Sequence, residues 1–335
     1  MTKVHLIKEI KSDKYEKVLE QQLKSNFKKG MNVAVKLHMG ESNKGKFNPE
    51  LAKRAVKVLK KLGCKPFLFD TNVWYPGARH FSMTHKAAVA HHGFSEENIG
   101  CPIVVADDFV VTKIKHFQLK VFKPMVEADA MLVLTHFKGH AASAFGGAIK
   151  NLAMGCVSKG SKLAEHKAGV PNKVTDDCTA CGVCAKLCPF HTIMIVGKKA
   201  RINHLMCFGC STCVYNCPSN AIKAKTTFDK VLAEAANAVI DLMKNKSINK
   251  PIYYVNEVMN ISKNCDCMRN TGGIIAKDVG VLMSTDIVAI EKASLDLVIK
   301  QEGKDVFKEI HNHDPVLQIV EAEKLGLGKQ KYELS

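Results

Sequence analysis

The sequence predicts an α/β fold: a mainly parallel sheet with helices on both faces, interrupted by a small α+β module. Two observations carry this. Short apolar runs alternate with helix-length segments through residues 1–170 and resume after 227. Between them, residues 171–226 have almost no long apolar period yet hold eight of the chain's 13 cysteines.

The elements follow in order. Asn32–Lys36 is a short apolar strand. Asn48 caps a helix with Pro49 at its first position and Gly63 just past its end. Each residue fits its place: the Asn oxygen accepts a free N–H, Pro has none to lose, and Gly takes the left-handed turn. Pro66–Asp70 is the next strand, Ser82–His92 a helix stopped by Gly93, and Pro102–Ala106 and Ala130–Thr135 further strands. Phe228–Lys244 returns to helix, with Val231, Ala235, Ala238, Val239 and Leu242 on one stripe. A strand at Ile252–Val255, an Asn/Asp/Gly-rich loop near 260–273 and a strand at Val279–Met283 follow, and residues 286–335 read as mostly helical. Neither flank supplies a complete sheet, so residues 1–170 and 227–335 read as two parts of one domain with 171–226 inserted. A separate C-terminal domain is the alternative.

The insert carries one spacing twice. Cys178-x2-Cys181-x2-Cys184-x3-Cys188 precedes Pro189, and Cys207-x2-Cys210-x2-Cys213-x3-Cys217 precedes Pro218, 29 residues later. This is the bacterial two-cluster ferredoxin pattern, in which each fourth cysteine ligates the other run's cluster. Cys178, Cys181, Cys184 and Cys217 are therefore expected to hold one [4Fe–4S] cluster, and Cys207, Cys210, Cys213 and Cys188 the second. Zinc is the competing reading, and a doubled, proline-terminated pattern argues against it. Such a module moves single electrons.

Composition bounds the rest. With 335 residues, 46% hydrophobic and 24% charged, the chain reads as soluble and globular. No apolar run approaches the roughly 18 residues that span a bilayer. The start, Met1-Thr2-Lys3-Val4-His5, has no apolar signal core, so a cytoplasmic location and no membrane are expected. Thirteen cysteines then point to reduced, metal-bound thiols in an anaerobic or well-reduced cell. Formal charge is +17; two clusters at about −2 each would lower it to about +13. Within 171–226, Lys173, Lys186, Lys198, Lys199, Arg201, Lys223 and Lys225 stand against Asp176 and Asp177. That surface suits an acidic electron carrier, a free ferredoxin or flavodoxin; ordinary solubilising charge explains it equally. One Trp, six Tyr and no basic run interleaved with aromatics argue against nucleic acid.

In open α/β sheets ligands bind beyond the carboxyl ends of the strands. Those ends carry Lys36 with His38 and Gly40; Asp70 with Thr71, Asn72, Tyr75 and Arg79; Asp107 and Asp108; His136 with Lys138 and His140; and Asp286. Each alone is an ordinary cap, turn former or surface charge. Their shared rim makes a site for an anionic substrate or cofactor. The segment His136-Phe-Lys-Gly-His140-x4-Phe145-Gly-Gly-Ala-Ile-Lys150 is the most distinctive. Gly146 and Gly147 permit close backbone approach, and a helix starting there would offer free N–H groups to an anion. Lys150, a turn further on, would bind a carboxylate or phosphate, or form an adduct. The competing reading is a tight packing turn. Cys265-Asp266-Cys267, on what reads as an exposed loop, would chelate one soft metal or act as a redox pair. Cys64 and Cys101 read as core, and His311-x-His313 as surface histidines. Gly155-x4-Gly160 lacks the Lys-Ser/Thr of a phosphate loop, being followed by Ser161-Lys162, and Gly-x-Gly-x-x-Gly is absent.

Taken together, these residues resemble the domain-of-unknown-function 362 family, in its branch of iron–sulfur-centre proteins with an inserted two-cluster ferredoxin. The resemblance spans nearly the whole chain. It rests on Lys36-Leu-His-Met-Gly-Glu41, Asp70-Thr-Asn-x-x-Tyr75-x-Gly77-x-Arg79, His92-Gly-Phe94 with Ile99-Gly-x-Pro102, the His136–Cys156 segment, Asn264-Cys-Asp-Cys267, Asp278-x-Gly280-x-Leu282-x-Ser284-Thr-Asp286 and Lys324-Leu-Gly-Leu-Gly. One departure is Asp108-Phe109, where the family implies a glycine after Asp107. The family implies no settled activity. More distantly, the chain is similar to the lactate racemase superfamily, whose lysine near a Gly-Gly pair holds a nickel-pincer cofactor. The spacing Gly147-Ala-Ile-Lys150 differs, so that cofactor is not carried over. The expected function is an iron–sulfur redox protein, as a ferredoxin-coupled oxidoreductase, passing electrons to the rim site. The alternatives are a non-catalytic electron carrier or metal/cluster donor, and a non-redox isomerase-like site with a structural ferredoxin.

Overall fold

A computed structural model describes residues 1–41, 46–244, 250–268 and 270–335. The main elements are β1 (Thr2–Ile7), α1 (Lys14–Leu23), β2 (Asn32–Lys36), α2 (Pro49–Lys61), β3 (Lys65–Phe69), α3 (Ser82–His91), β4 (Ile103–Val104), β5 (Ala130–His136), α4 (Ala148–Ala153), α5 (Lys159–Ala168), α6 (Phe228–Lys244), β6 (Ile252–Val258), β7 (Gly280–Ser284), α7 (Ile287–Glu302), α8 (Val316–Lys324) and β8 (Tyr332–Leu334). Eight strands form one sheet in the order β8-β1-β7-β6-β5-β2-β3-β4. The pairs from β6 through β5, β2 and β3 to β4 are parallel, and β7 alone runs against its neighbours β1 and β6. The fold is α/β with a mainly parallel sheet, built from strands on both sides of the cysteine-rich segment.

Strand alternation explains the two cores. In β5, Ala130, Leu132 and Leu134 join Val33, Val35 and Val255 beneath Tyr15 and Leu19 of α1 and Leu51, Ala55 and Leu59 of α2. Met131 and Val133 face the other way, with Ala34, Tyr254 and Leu282, against α4, α6, α7 and α8. With both faces covered, such strands become unbroken apolar runs. Fully burying one Leu or Val contributes about 1.5–3 kcal/mol relative to leaving it exposed. The Asn48 side chain accepts Glu50 N–H at 3.0 Å, and Gly63 has φ +79°, as the capping pattern predicts.

Three sequence expectations change. The Pro102–Ala106 strand is reduced to two residues, Ile103–Val104, on the sheet edge. The strand from Ile252 runs on to Val258. Asp286 leaves the candidate rim. No helix separates β6 from β7 among the described residues, so the chain returns antiparallel beside β6 instead of crossing over. The carboxyl end of β7 therefore points to the opposite rim. There Asp286 caps α7 through Val288 and Ala289 N–H, both at 2.9 Å, and accepts Thr2 Oγ1 at 3.2 Å. No described helix is long and apolar enough to cross a membrane.

The cysteine-rich segment repeats in conformation as well as in sequence. Two short antiparallel pairs, Lys173–Val174 with Ile222–Lys223 and Ile193–Val196 with Lys199–Ile202, flank the helical turns Val183–Leu187 and Thr212–Tyr215. Left-handed backbone occurs at Ala180 and Gly209, Gly182 and Ser211, and His191 and Asn220. Every pair is separated by the 29 residues of the cysteine repeat. The fourth sulfur of each run accepts an equivalent N–H: Thr192 to Cys188 at 3.4 Å, and Ala221 to Cys217 at 3.2 Å.

A candidate active-site cleft beside a double set of cysteines

A cleft opens at the rim shared by β2, β3 and β5. Of the predicted site residues, His38, Asp70, His136, His140, Gly146, Gly147, Lys150, Cys265 and Cys267 line it. Lys36 does not. It lies beneath the cleft, fully buried, with Nζ 3.0 Å from Asp70 Oδ1 and 2.9 Å from the Leu37 carbonyl. Asp107 and Asp108 also stay outside the lining. Asp107 accepts Asn72 Nδ2 at 3.0 Å and Ser82 Oγ at 3.0 Å, and Asp108 pairs with Lys123 at 3.9 Å.

Asp70 is the hub of one wall. Its Oδ2 accepts Arg79 at 2.7 Å and Met39 N–H at 3.0 Å. Burial alone would raise this carboxyl, but Lys36 and Arg79 hold it well below the usual carboxylate range. Arg79 also donates to Glu41 and lies 3.3 Å from His38 Nε2. Burial and the Arg79 charge together lower His38, against the pull of Glu41 and Asp70, so its ring is neutral.

The opposite wall is the β-hairpin of Lys138–His140 and Ala144–Gly146, packed on the loop that carries Cys265. Gly139 is required there: a Cβ would stand 2.0 Å from the Lys263 carbonyl oxygen. Asp266 is buried, not exposed as the sequence suggested, and it accepts His136 Nδ1 at 3.0 Å and Lys138 Nζ at 3.1 Å. His136 donates its other ring nitrogen to the Met259 carbonyl at 3.0 Å. Both partners can only accept, so the ring keeps both protons. Burial lowers its pKa, but Asp266 more than offsets this. His136 is thus an internal cation whose nitrogens are already used.

Lys150 reaches Cys265, with Nζ 3.5 Å from Sγ. Burial would lower the amine, but the two cysteine sulfurs raise it. Cys265 is held well below an ordinary thiol, first by the Cys267 hydrogen bond and then, against burial, by Lys150 and Lys138. Cys267 rises correspondingly, because its proton is the one shared. Negative charge on the pair is thus favoured at Cys265, nearest the Lys150 and Lys138 ammonium groups.

The anion cradle expected at Gly146-Gly147 is not free. Ala148 N–H, the first of the short helix α4, donates to Glu291 Oε1 at 2.6 Å, and a Cβ on Gly147 would meet that oxygen at 2.2 Å. Gly147 serves packing instead. Gly146 lies against the stems of Lys150 and Lys138, with Lys150 Cδ 3.4 Å and Lys138 Cε 3.8 Å from where its Cβ would be, the distances of ordinary contact.

Helix α5 closes the cleft and touches the cysteine-rich segment. Lys162 and His166 line the cleft. His166 Nδ1 lies 3.2 Å from the Phe208 carbonyl, which can only accept, so Nε2 remains an open acceptor. Burial and nearby Lys150 push His166 down to about 4. His140 is neutral for the same reasons. Burial pushes Lys162 down to about 7, while its ammonium donates to the Asn72 carbonyl at 2.7 Å and the Val157 carbonyl at 2.9 Å. Glu165, fully buried with neither oxygen hydrogen-bonded among the described residues, is raised well above the carboxylate range and carries its proton. Next after His166 along α5, Lys167 Nζ donates to the Cys207 carbonyl at 3.1 Å. Phe208 stacks on Phe190 at 4.2 Å and lies 5.8 Å from Trp74 of the cleft.

Within the segment, Cys178, Cys181, Cys184 and Cys217 line one small cavity. Cys207, Cys210 and Cys213 are each raised, first by burial and then by neighbours that include Cys188. Four sulfurs from both runs thus crowd each of two places. Each place offers four sulfurs drawn from both runs, the kind and number of donors a cubane cluster would take. Among the described residues, no three His, Cys, Asp or Glu converge as ligands of a single metal ion; cubane ligands stand wider apart.

Residues 33–296 match the family described as Domain of unknown function (DUF362). The chain belongs to that family. Over 54 residues, 16% of this DUF362 chain and 9% of the relative, it is 39% identical to the indolepyruvate oxidoreductase subunit IorA of Archaeoglobus fulgidus. Among solved structures, it is similar to a Thermotoga maritima protein (TM-score 0.44, 10% identity, 87% of this chain and 59% of that one). It is also similar to the lactate racemase apoprotein of Thermoanaerobacterium thermosaccharolyticum (TM-score 0.37, 12% identity, 77% and 50%). The DUF362 chain thus spans under two thirds of each relative's length.

Sequence reasoning missed Trp74, Lys162, Glu165 and His166. Lys162 sat in a rejected phosphate-loop motif, and no local pattern distinguishes α5 from any other helix. His311 and His313 are buried, not on the surface, holding the Lys263 carbonyl at 2.9 Å and Asp229 at 3.1 Å. Cys64 and Cys101 are buried as predicted.

Proposed function

We propose that this chain is an iron–sulfur redox protein whose cleft binds a small anionic substrate or cofactor. Cys178, Cys181, Cys184 and Cys217 would hold one [4Fe–4S] cluster, and Cys207, Cys210, Cys213 and Cys188 the other; these clusters would supply single electrons. The observation that carries the reading is the contact between the second cysteine run and helix α5. The same helix places Lys162 and His166 in the cleft and Lys167 on the Cys207 carbonyl. The first set is the outer one, with Cys181 exposed, while Cys188, Cys210 and Cys213 are buried. This asymmetry supports donor docking at the outer set and delivery at the inner one.

The cleft residues divide the remaining work. Lys150, Arg79 and Lys162 give it positive charge for an anion. Neutral His38, His140 and His166 can move protons, and Glu165 holds one nearby. A carrier without a site of its own would need none of these buried, mutually shifted groups.

Anaerobic preparations are expected to hold about eight iron and about eight acid-labile sulfide per chain, with an EPR signal on reduction. Stoichiometric zinc and an EPR-silent reduced sample would end the electron-transfer reading. Reduction by an acidic carrier protein is expected to slow as salt rises. Lys173, Lys186, Lys198, Arg201, Lys223 and Lys225 are all exposed, and screening weakens their steering. Stopped-flow rates that stay flat with ionic strength would mark these charges as merely solubilising.

A further inference from the structure

We propose that Cys265 and Cys267 are a redox-active dithiol that takes up two electrons but only one proton, and that Lys150 sets this proton count. The proposal rests on the cluster reading for its source of single electrons in the cell. The chemistry of the pair is independent of that reading.

The local backbone brings the sulfurs together. Met268 N–H donates to the Cys265 carbonyl at 2.9 Å, closing a turn with the two cysteines at its first and third positions. Cys265 is 3% exposed, and Cys267 lends it an S–H hydrogen bond. Lys150 stands 3.5 Å from the Cys265 sulfur, and Lys138 adds a second positive charge. These ammonium groups counter the sulfur charge that would otherwise attract a metal ion, which favours a dithiol over a metal site. Among the described residues, Asp266, Glu41 and Tyr75 also act on the pair, and His38, His136, His140, Lys162 and His166 line the same cleft. Asp266 is committed to His136 and Lys138, and Glu41 to Arg79. Lys150 is therefore the cation whose balance depends on Cys265.

The step balances as follows. Two electrons enter the Cys265–Cys267 disulfide and its S–S bond breaks. One proton from solvent goes to Cys267, and Cys265 remains a thiolate against Lys150. Two one-electron deliveries are thereby stored as one two-electron reagent. Oxidation runs the step backwards and removes the counter-charge of Lys150. The cleft then gains one net positive charge beside Gly146, so the oxidised form binds a small anion more tightly than the reduced form. By linkage, the anion favours the disulfide to the same extent.

The test uses the whole chain, held anaerobically in glutathione and dithiothreitol redox buffers of graded ratio. Samples are acid-quenched, alkylated and digested with trypsin. The peptide 264–269, released between Lys263 and Arg269, contains both cysteines and no other. Its unalkylated disulfide form is expected to titrate as a single two-electron transition. Near neutral pH the midpoint should fall by about 30 mV per pH unit, one proton for two electrons. In Lys150→Met the slope should roughly double, to about 59 mV per pH unit, because Cys265 then takes a proton as well. Lys150→Arg should restore the shallow slope. A peptide that stays dithiol in every buffer would overturn the proposal, as would the steep slope in the parent chain. The parent slope decides the matter even if Lys150→Met does not fold. Iron and sulfide content of the same samples reports separately on the clusters, so either idea can fail without the other.

Discussion

Asp70→Asn is expected to destabilise the folded chain by about 3–5 kcal/mol, the usual cost of removing one partner from a buried ion pair. Asp70 is 1% exposed, Lys36 0% and Arg79 3%. An asparagine keeps the shape but leaves two buried cations facing an amide. Glu41 still holds Arg79, whereas Lys36 retains only the Leu37 carbonyl as a hydrogen-bond partner among the described residues. Urea unfolding of parent and variant under the same anaerobic conditions measures the loss. A change under about 1 kcal/mol would show that the pair is solvated. The acid limb gives a second reading. The Asp70 carboxyl is held below its unfolded value, so its contribution is present above about pH 4 and fades as pH falls toward the folded value. In Asp70→Asn that part of the acid limb should flatten.

Lys150→Ala is expected to weaken anion binding by about 1.5–3 kcal/mol, or more for a group this buried, while iron and sulfide content stays unchanged. Lys150 meets the sulfur of Cys265, which lies outside the 171–226 cysteine repeat, so the loss should be confined to the cleft. Trp74, the chain's only tryptophan, lines the cleft and reports occupancy by fluorescence. The probe is whichever small anion copurifies under anaerobic conditions. Unchanged binding together with unchanged turnover would remove Lys150 from the site. Loss of folding would instead mark Lys150 as part of the packed turn, where it lies against Gly146.

Much of the architecture was legible because it is written in short-range pattern. Apolar runs that pack on both faces have no polar phase to confuse them with surface strands, so β2, β3, β5 and β6 could be read directly. The helix at Pro49 was legible because a cap, a proline and a glycine each have a local physical reason. The cysteine spacing was legible because thiolates facing one centre must come from a tight, repeated loop; the left-handed backbone positions then recur at that same interval. Rim residues such as His38, Asp70 and His136 were legible because parallel strands present their carboxyl ends together.

What the tertiary structure decided is direction, burial and company. The reversal of β7 depends on how the chain returns after β6, and it sent Asp286 to the far rim. Asp266 looked like a loop charge, but the hairpin at Gly139 buries it between His136 and Lys138. The Gly146-Gly147 turn looked like an anion cradle until Glu291, 143 residues from Ala148, took its first N–H. Sequence by itself determined the α/β class, the strands of the shared rim and the double cysteine repeat, since each follows from neighbours along the chain. Only the fold decided which buried charges pair, because a carboxylate in a low-dielectric interior must take its partner from whatever element packs against it.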